Sequence, residues 1–388
     1  MKRSETRILT THTGSLPRPP RLASLHARRF AGDAVDQAEF DAEVAAAVAH
    51  AIAAQAKAGV DIANNGEASR ESYVTYVRER LSGLGGRSAH PMMADMARYE
   101  GFMALRAHAP GRERVDLAAA PRAIGPVAYT GAPAITAECA QLTDALARAG
   151  QPFVEAFVSS PSPGLVALAF QNAHYSSLAE YVGAVARALA HEYRAIVAAG
   201  FILQIDAPDL AMERHAQFAG EPLEAFLDFV RLVVGALNGA LAGVPAGRVR
   251  LHVCWGNYEG PHDLDVGLEE IWPEIAKANV GAFMLSMANP RHAHEIRFLA
   301  GGAFPADAIL IPGVIDTTTN YVEHPEVVAA RIEQAAASIG DPTRIIAGTD
   351  CGFESATGLG AVAADVAWAK LAALAAGARI ASTRLFRR

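Results

Sequence analysis

Short apolar runs alternate along the chain with longer segments whose apolar residues recur at helical spacing. The runs at residues 7–12, 59–63, 123–129, 153–158, 202–205, 248–254, 282–287, 309–315 and 344–348 read as strands. Helical patterns rich in Ala, Leu and Glu fill most of the gaps, at residues 37–57, 134–148, 178–199, 223–241, 268–277, 325–337 and 359–377. Such alternation builds a parallel sheet covered by helices. With close to eight units and no linker, the pattern predicts an α/β chain, a single (β/α)8 TIM barrel over residues 1–388. Nine strands are one too many, so the run at 123–129, or the region before it, is expected to form a hairpin or an extra strand. The aperiodic stretch around residues 83–120 is expected to be an insertion. A doubly wound open sheet is the alternative, weakened by the lack of a Gly-rich phosphate loop after an early strand.

Composition narrows the function classes. About half of the 388 residues (51%) are hydrophobic, enough for a large core. The net charge of −7 argues against a general nucleic-acid binder. The basic run at 18–29 reads as a solvated face. Three cysteines, Cys139, Cys254 and Cys351, are too few for a disulfide scaffold and suit a reducing, cytoplasmic compartment. The first residues carry charge without an apolar core, so no signal peptide is expected. The Ala-rich stretch near the C-terminus is interrupted by Asp365 and Lys370, so no membrane association is expected either.

A barrel places its working residues just past the C-terminal ends of its strands. Polar residues stand at those points one after another, and the sharpest group is His252-Val253-Cys254. Residues i and i+2 of a strand share a face, so this imidazole and thiol can meet one metal ion. Cys351, in Asp350-Cys351-Gly352, ends another predicted strand. One nitrogen and two sulfurs suit Zn²⁺, and three protein ligands leave a fourth position for substrate. The other reading is two buried core cysteines and a hydrogen-bonded histidine. Asp206 and Glu67 read as substrate anchors or proton-transfer groups, or else as helix caps. Ser15, after Gly14, reads as an anion contact or an ordinary turn. His12 reads as a residue of the mouth or a structural hydrogen-bonding group. Glu323-His324-Pro325 reads as a helix start.

These motifs together resemble the catalytic-domain family of cobalamin-independent methionine synthase, near the short branch that also holds epoxyalkane:coenzyme M transferase. The matching pieces are Thr10 to Arg18, Asn65-Gly66-Glu67, Gln204 to Pro208, His252 to Asn257, Ala288 to His292, Gly313 to Asp316 and Asp350 to Gly352, in family order over almost the whole chain. The resemblance implies a (β/α)8 barrel with zinc on His252, Cys254 and Cys351, and a small-molecule thiol alkylated as its thiolate. Homocysteine is the thiol it points to, with Ser15, Glu67 and Asp206 on its amino-acid end. The alkyl donor would be methylfolate or a methyl-corrinoid, the latter carried by a corrinoid protein.

Two positions depart from the family pattern. Ser286 stands where the family has a glutamate as fourth zinc ligand, and Thr318 where folate-dependent members have a histidine acid. Without that acid, methylfolate is a weaker candidate than a methyl-corrinoid. Three other functions stay open: an epoxyalkane:coenzyme M-type transferase, for which Arg18, Arg70 and Arg291 could bind a sulfonate; a metal-free decarboxylase-like barrel; and a non-catalytic thiol- or corrinoid-binding protein.

Overall fold

Eight short parallel strands form a closed ring. In the computed structural model, which describes residues 1–89, 93–107, 114–115, 117–150 and 153–386, the strands are β1 (Leu9–Thr10), β2 (Ile62–Ala63), β3 (Leu81–Gly85), β4 (Arg122–Tyr129), β5 (Glu155–Pro161), β6 (Ile202–Asp206), β7 (Val249–Val253), β8 (Ala282–Leu285), β9 (Ile309–Ile315) and β10 (Ile346–Thr349). The sheet runs β1-β10-β9-β8-β7-β6-β5-β2, and a parallel bridge between Thr11 and Ile62 joins its two ends. The (β/α)8 barrel expected from the pattern is the fold. The surplus strand at 123–129 is β4, which pairs antiparallel with β3 outside the ring.

Alternation along each strand divides the core in two. Leu9, Ile62, Phe157, Ile202, Met284, Ile309, Ile311 and Ile346 point inward and plug the lumen as one apolar cluster. Leu203, Ile205, Leu251, Val253, Phe283 and Leu285 point outward beneath the helices. The inward series continues upward with polar side chains. Ile202, Gln204 and Asp206 follow one another on β6, while Arg250 and His252 do so on β7. Arg250 lies 3.7 Å above the centre of the Phe157 ring. It donates from Nε to Gln204 Oε1 (2.8 Å), from Nη1 to Thr11 Oγ1 (3.1 Å) and from Nη2 to the His12 carbonyl (3.0 Å).

The helices follow the pattern with local shifts. Gln37–Ala58 begins at an Asp36 cap and ends on Gly59, whose φ of +86° suits glycine. Leu178–Ala198 begins at a Ser177 cap. Among the described residues four helices were not anticipated: Pro20–Ala31, Pro163–Ala169 and the short Ala94–Ala97 and Glu100–Ala107. The first takes in most of the basic run, but Arg18 just before it is buried against Glu354 rather than solvated. The last helix is Ala364–Leu385, shifted towards the C-terminus. Among the described residues no helix is long and apolar enough to cross a membrane.

The excursion after β2 contains β3, the short helices Ala94–Ala97 and Glu100–Ala107, and β4. Part of the stretch expected as an insertion lies outside the described residues. A buried ionic network clamps the excursion to the barrel. Arg80 donates to Glu138 Oε2 (2.6 Å) and Glu192 Oε2 (2.9 Å), and Arg70 pairs with Glu138 (3.0 Å). The Tyr76 and Tyr129 hydroxyls complete Glu192 at 2.6 and 2.8 Å. Burial opposes the charge of Glu138, yet Arg70 and Arg80 hold its pKa at about 2. Removing one partner of a buried pair strands the other charge. Arg80→Ala is therefore expected to lose about 3–5 kcal/mol of unfolding free energy in urea titration, and a loss within error of zero would contradict this account.

Candidate active site

Three strand ends bring His252, Cys254 and Cys351 together. His252 sits in β7, Cys254 follows it, and Cys351 follows β10. One donor atom from each lies within 4.8 Å of the other two. His252 and Cys254 are buried and Cys351 is partly so. A hydrogen bond from Cys351, then the His252 ring, draws the Cys254 thiol well below its ordinary pKa, so negative charge gathers on the sulfur pair. An imidazole and two converging thiols, one with its pKa drawn down by the other, fit a soft divalent metal.

The ligand positions are braced from behind. Gln204 Nε2 donates to Asp206 Oδ1 (2.7 Å), and His252 Nδ1 lies 3.1 Å from the same oxygen. Carboxylates and carbonyls only accept, and His252 Nε2 lies 3.1 Å from the Asp350 carbonyl, so both ring nitrogens face acceptors; a ring that gave its Nε2 lone pair to a metal would keep its proton on Nδ1, towards Asp206. A polar ladder thus runs from Arg250 through Gln204 and Asp206 to His252. Asp350 knots the other side. Its Oδ1 accepts from Met287 N and Ala288 N (both 2.8 Å) and its Oδ2 from Asn289 N (2.7 Å). Gly313 leaves the room for this carboxylate, because a Cβ there would overlap it. The Ser286 hydroxyl donates to the Asp350 carbonyl at 2.7 Å.

Glu67 is, among the described residues, one of two non-glycine residues with positive φ, at +57°. It is buried, its Oε1 accepts from Ser159 Oγ (2.6 Å), and its Oε2 has no hydrogen-bond partner among the described residues. Burial, then the nearby charge of Asp206, raises its pKa. Gly14, at φ +148°, comes so close to Glu67 Oε1 that a side chain would not fit. Ser15 packs its hydroxyl against Gly352, next to Cys351. Neither Glu67 nor Asp206 serves as a helix cap. His12 takes another course: its Nε2 lies 2.8 Å from Gln55 Oε1, its ring meets Phe157 edge-on, and burial lowers its pKa to about 4. Glu323 does more than begin a helix. It accepts from Asp316 N (2.9 Å) and pairs with buried Lys370 (2.9 Å).

Two of the three arginines weighed for a sulfonate are otherwise engaged. Arg18 donates to the carbonyls of Glu67, Arg70 and Glu354, and Arg70 is held by Glu138 and Ser159. Arg291 is exposed.

Two features escaped the sequence. Tyr73 is held high in pKa by burial and by the charges of Cys254, Cys351, Glu213 and Asp206, so its phenol stays protonated beside the sulfurs. Its sequence neighbourhood carries no motif. The second feature is a histidine cluster on Asp265. His262 Nδ1 and His292 Nε2 lie 3.0 and 2.7 Å from Asp265 Oδ2, and His215 Nδ1 lies 3.1 Å from Oδ1. His292 also reaches Glu295 (3.1 Å) and stacks on Trp255 at 3.9 Å. A narrow gap of about 20 Å³, walled in part by His262, His292, Ser286, Asp316, Thr318 and Cys351, lies between this cluster and the sulfur site.

Burial opposes a charge on His292, but Asp265 and Glu295 raise its pKa to about 9 from 6.5. A raised histidine stabilises the fold fully below the unfolded value and ceases to do so as pH passes the folded one. The melting temperature is expected to fall between pH 6.5 and about 9, with a shallower slope in His292→Gln. Equal slopes in the two proteins would refute the assignment.

Comparison with known proteins agrees with the barrel fold. The family model described as the catalytic domain of cobalamin-independent synthase matches residues 8–101. A methionine synthase of Saccharolobus solfataricus is 24% identical over 98% of the chain and 96% of its own length. One from Thermococcus kodakarensis is 30% identical over 47% of the chain and 46% of its own length. Among solved structures, a B12-independent methionine synthase from Shewanella sp. W3-18-1, in complex with selenomethionine, superposes with a TM-score of 0.73 at 23% identity, covering 98% of this chain and 99% of that one.

Proposed function

We propose that this chain, which is similar to the catalytic domain of cobalamin-independent methionine synthase, is a zinc-dependent enzyme that moves a methyl group from a small-molecule donor onto the sulfur of homocysteine, residues 1–388 acting as one catalytic domain. The observation that carries the proposal is the convergence of His252, Cys254 and Cys351 within 4.8 Å at the barrel mouth. These three would hold the ion. When bound, zinc supplies the acidity that keeps a thiol in its nucleophilic thiolate form.

The rest falls to the chain's own side chains. Asp206 keeps the His252 proton on Nδ1 and the ring in one orientation. Glu67 offers a buried, unpartnered carboxylate oxygen, and such a group recovers its lost hydration only by taking a donor. The ammonium of homocysteine is that donor, with Asp206 as the second negative charge. Ser15 lies at the same rim and faces the carboxylate end. The Tyr73 phenol, whose pKa is raised by burial and by the nearby sulfurs, stays protonated and adds no further negative charge to the site. His12 stays outside the chemistry as a neutral support bonded to Gln55. An enzyme for a sulfonate thiol is the weaker reading, because Arg18 and Arg70 are already committed.

The purified protein is expected to carry about one zinc per chain by elemental analysis, and Cys351→Ser to lose most of it. Wild-type protein from zinc-replete medium without stoichiometric metal would sink the proposal. Glu67→Gln should keep its zinc while the KM for homocysteine rises about 30-fold or more; an unchanged KM would remove Glu67 from the ammonium site.

A further inference from the structure

The register between β6 and β7 sets two polar pairs one above the other on the inner wall. Gln204 stands beside Arg250, and Asp206 beside His252. Gln204 and Arg250 are buried, and Asp206 is 5% exposed. The Arg250 guanidinium only donates, so the end of Gln204 that meets its Nε (2.8 Å) is the carbonyl oxygen Oε1. The amide nitrogen therefore faces the other way. It donates to Asp206 Oδ1 (2.7 Å) and to the Thr13 carbonyl.

This chain of bonds treats the two oxygens of Asp206 unequally. Oδ1 receives the Gln204 amide and faces His252 Nδ1 at 3.1 Å. Oδ2 accepts no hydrogen bond among the described residues. An arginine in direct reach of a carboxylate commonly closes on it with two parallel N–H groups and takes both oxygens. A neutral amide placed between Arg250 and Asp206 takes only one. Arg250 is itself fixed by Thr11 Oγ1 (3.1 Å), the His12 carbonyl (3.0 Å) and the face of Phe157 (3.7 Å), so the amide is held from below by a side chain with its own bonds complete.

Resting on the reading of Asp206 as an anchor for the substrate ammonium, we infer that Gln204, oriented by Arg250, is a positioning residue that sets which oxygen of Asp206 meets that ammonium. Oδ1 is kept for the protein and Oδ2 for the substrate. The carboxylate can then take the ammonium without giving up His252. Its orientation is fixed before the ligand arrives, and preorganisation of this kind strengthens binding by removing an ordering cost. Only a thiol that carries an ammonium gains from it. A thiol without that group is indifferent to which oxygen of Asp206 is free.

The test is calorimetric titration of the full chain at saturating zinc with two thiols, homocysteine and γ-mercaptobutyrate, which keeps the sulfur and the carboxylate but lacks the ammonium. Gln204→Met has a similar length and removes the donor to Asp206 without adding charge. It should weaken homocysteine about tenfold or more while γ-mercaptobutyrate stays within about threefold of wild type. Homocysteine affinity unchanged in the variant, or both thiols weakened alike as a general loosening would do, would overturn the inference. If the variant fails to fold, a crystal structure of the wild type with homocysteine decides: the ammonium on Oδ2 with Gln204 still on Oδ1 supports the assignment, and the ammonium on Oδ1, or Gln204 turned away, refutes it. The wild type also separates the two levels. If it binds homocysteine no better than γ-mercaptobutyrate, the ammonium reading of Asp206 fails and the inference with it; if it prefers homocysteine and the preference survives in Gln204→Met, only the role of Gln204 fails.

Discussion

Closure of the parallel ring is the constraint on which the rest of the molecule depends. A closed sheet has no free edge, and parallel strands deliver their C-terminal ends to a single rim. Side chains two apart on a strand therefore climb one inner wall. Apolar residues fill the lower lumen, and Gln204, Asp206, Arg250 and His252 rise above them as a polar ladder. Cys351 joins His252 and Cys254 because β10 closes back towards the same mouth, and Asp350 ties its end to that of β8 through three backbone N–H groups.

Around that rim the protein separates charges that are satisfied from those that are not. Burying an ion is expensive unless a partner comes with it. Arg70, Arg80, Glu138 and Glu192 meet that condition together and anchor the excursion beneath Glu67. Asp265 meets it with His262 and His292, and Glu323 does so with Lys370. Against this background two groups stand out. Among the described residues, Glu67 keeps a buried oxygen without a donor, and Asp316 is met by hydroxyls and a backbone N–H instead of a cation.

The departures from the family pattern also take on structural content. Ser286 is too short to act as an acidic ligand and spends its proton on the Asp350 carbonyl. Thr318 turns both its backbone N–H and its hydroxyl to Asp316. At neither position does the chain carry the acidic side chain or the imidazole of the family pattern.

The sequence by itself determined what repeats locally. Strand and helix periods named eight barrel strands and flagged 123–129 as surplus, and the two-residue spacing of His252 and Cys254 placed an imidazole and a thiol on one face. It missed β3, whose five residues include two glycines and a serine and so carry little strand signal. It took Arg18 for surface because a buried cation looks no different from an exposed one until Glu354 is seen against it. Only the tertiary structure decided the pairings between distant loops: the Asp265 cluster drawn from residues 215 to 292, the orphaned oxygen of Glu67, and His12 bonded to Gln55 instead of standing at the mouth. The reason is physical. Periodicity records how each segment meets its own immediate surroundings, whereas the partner of a polar group is set by which strand ends the closed ring brings together.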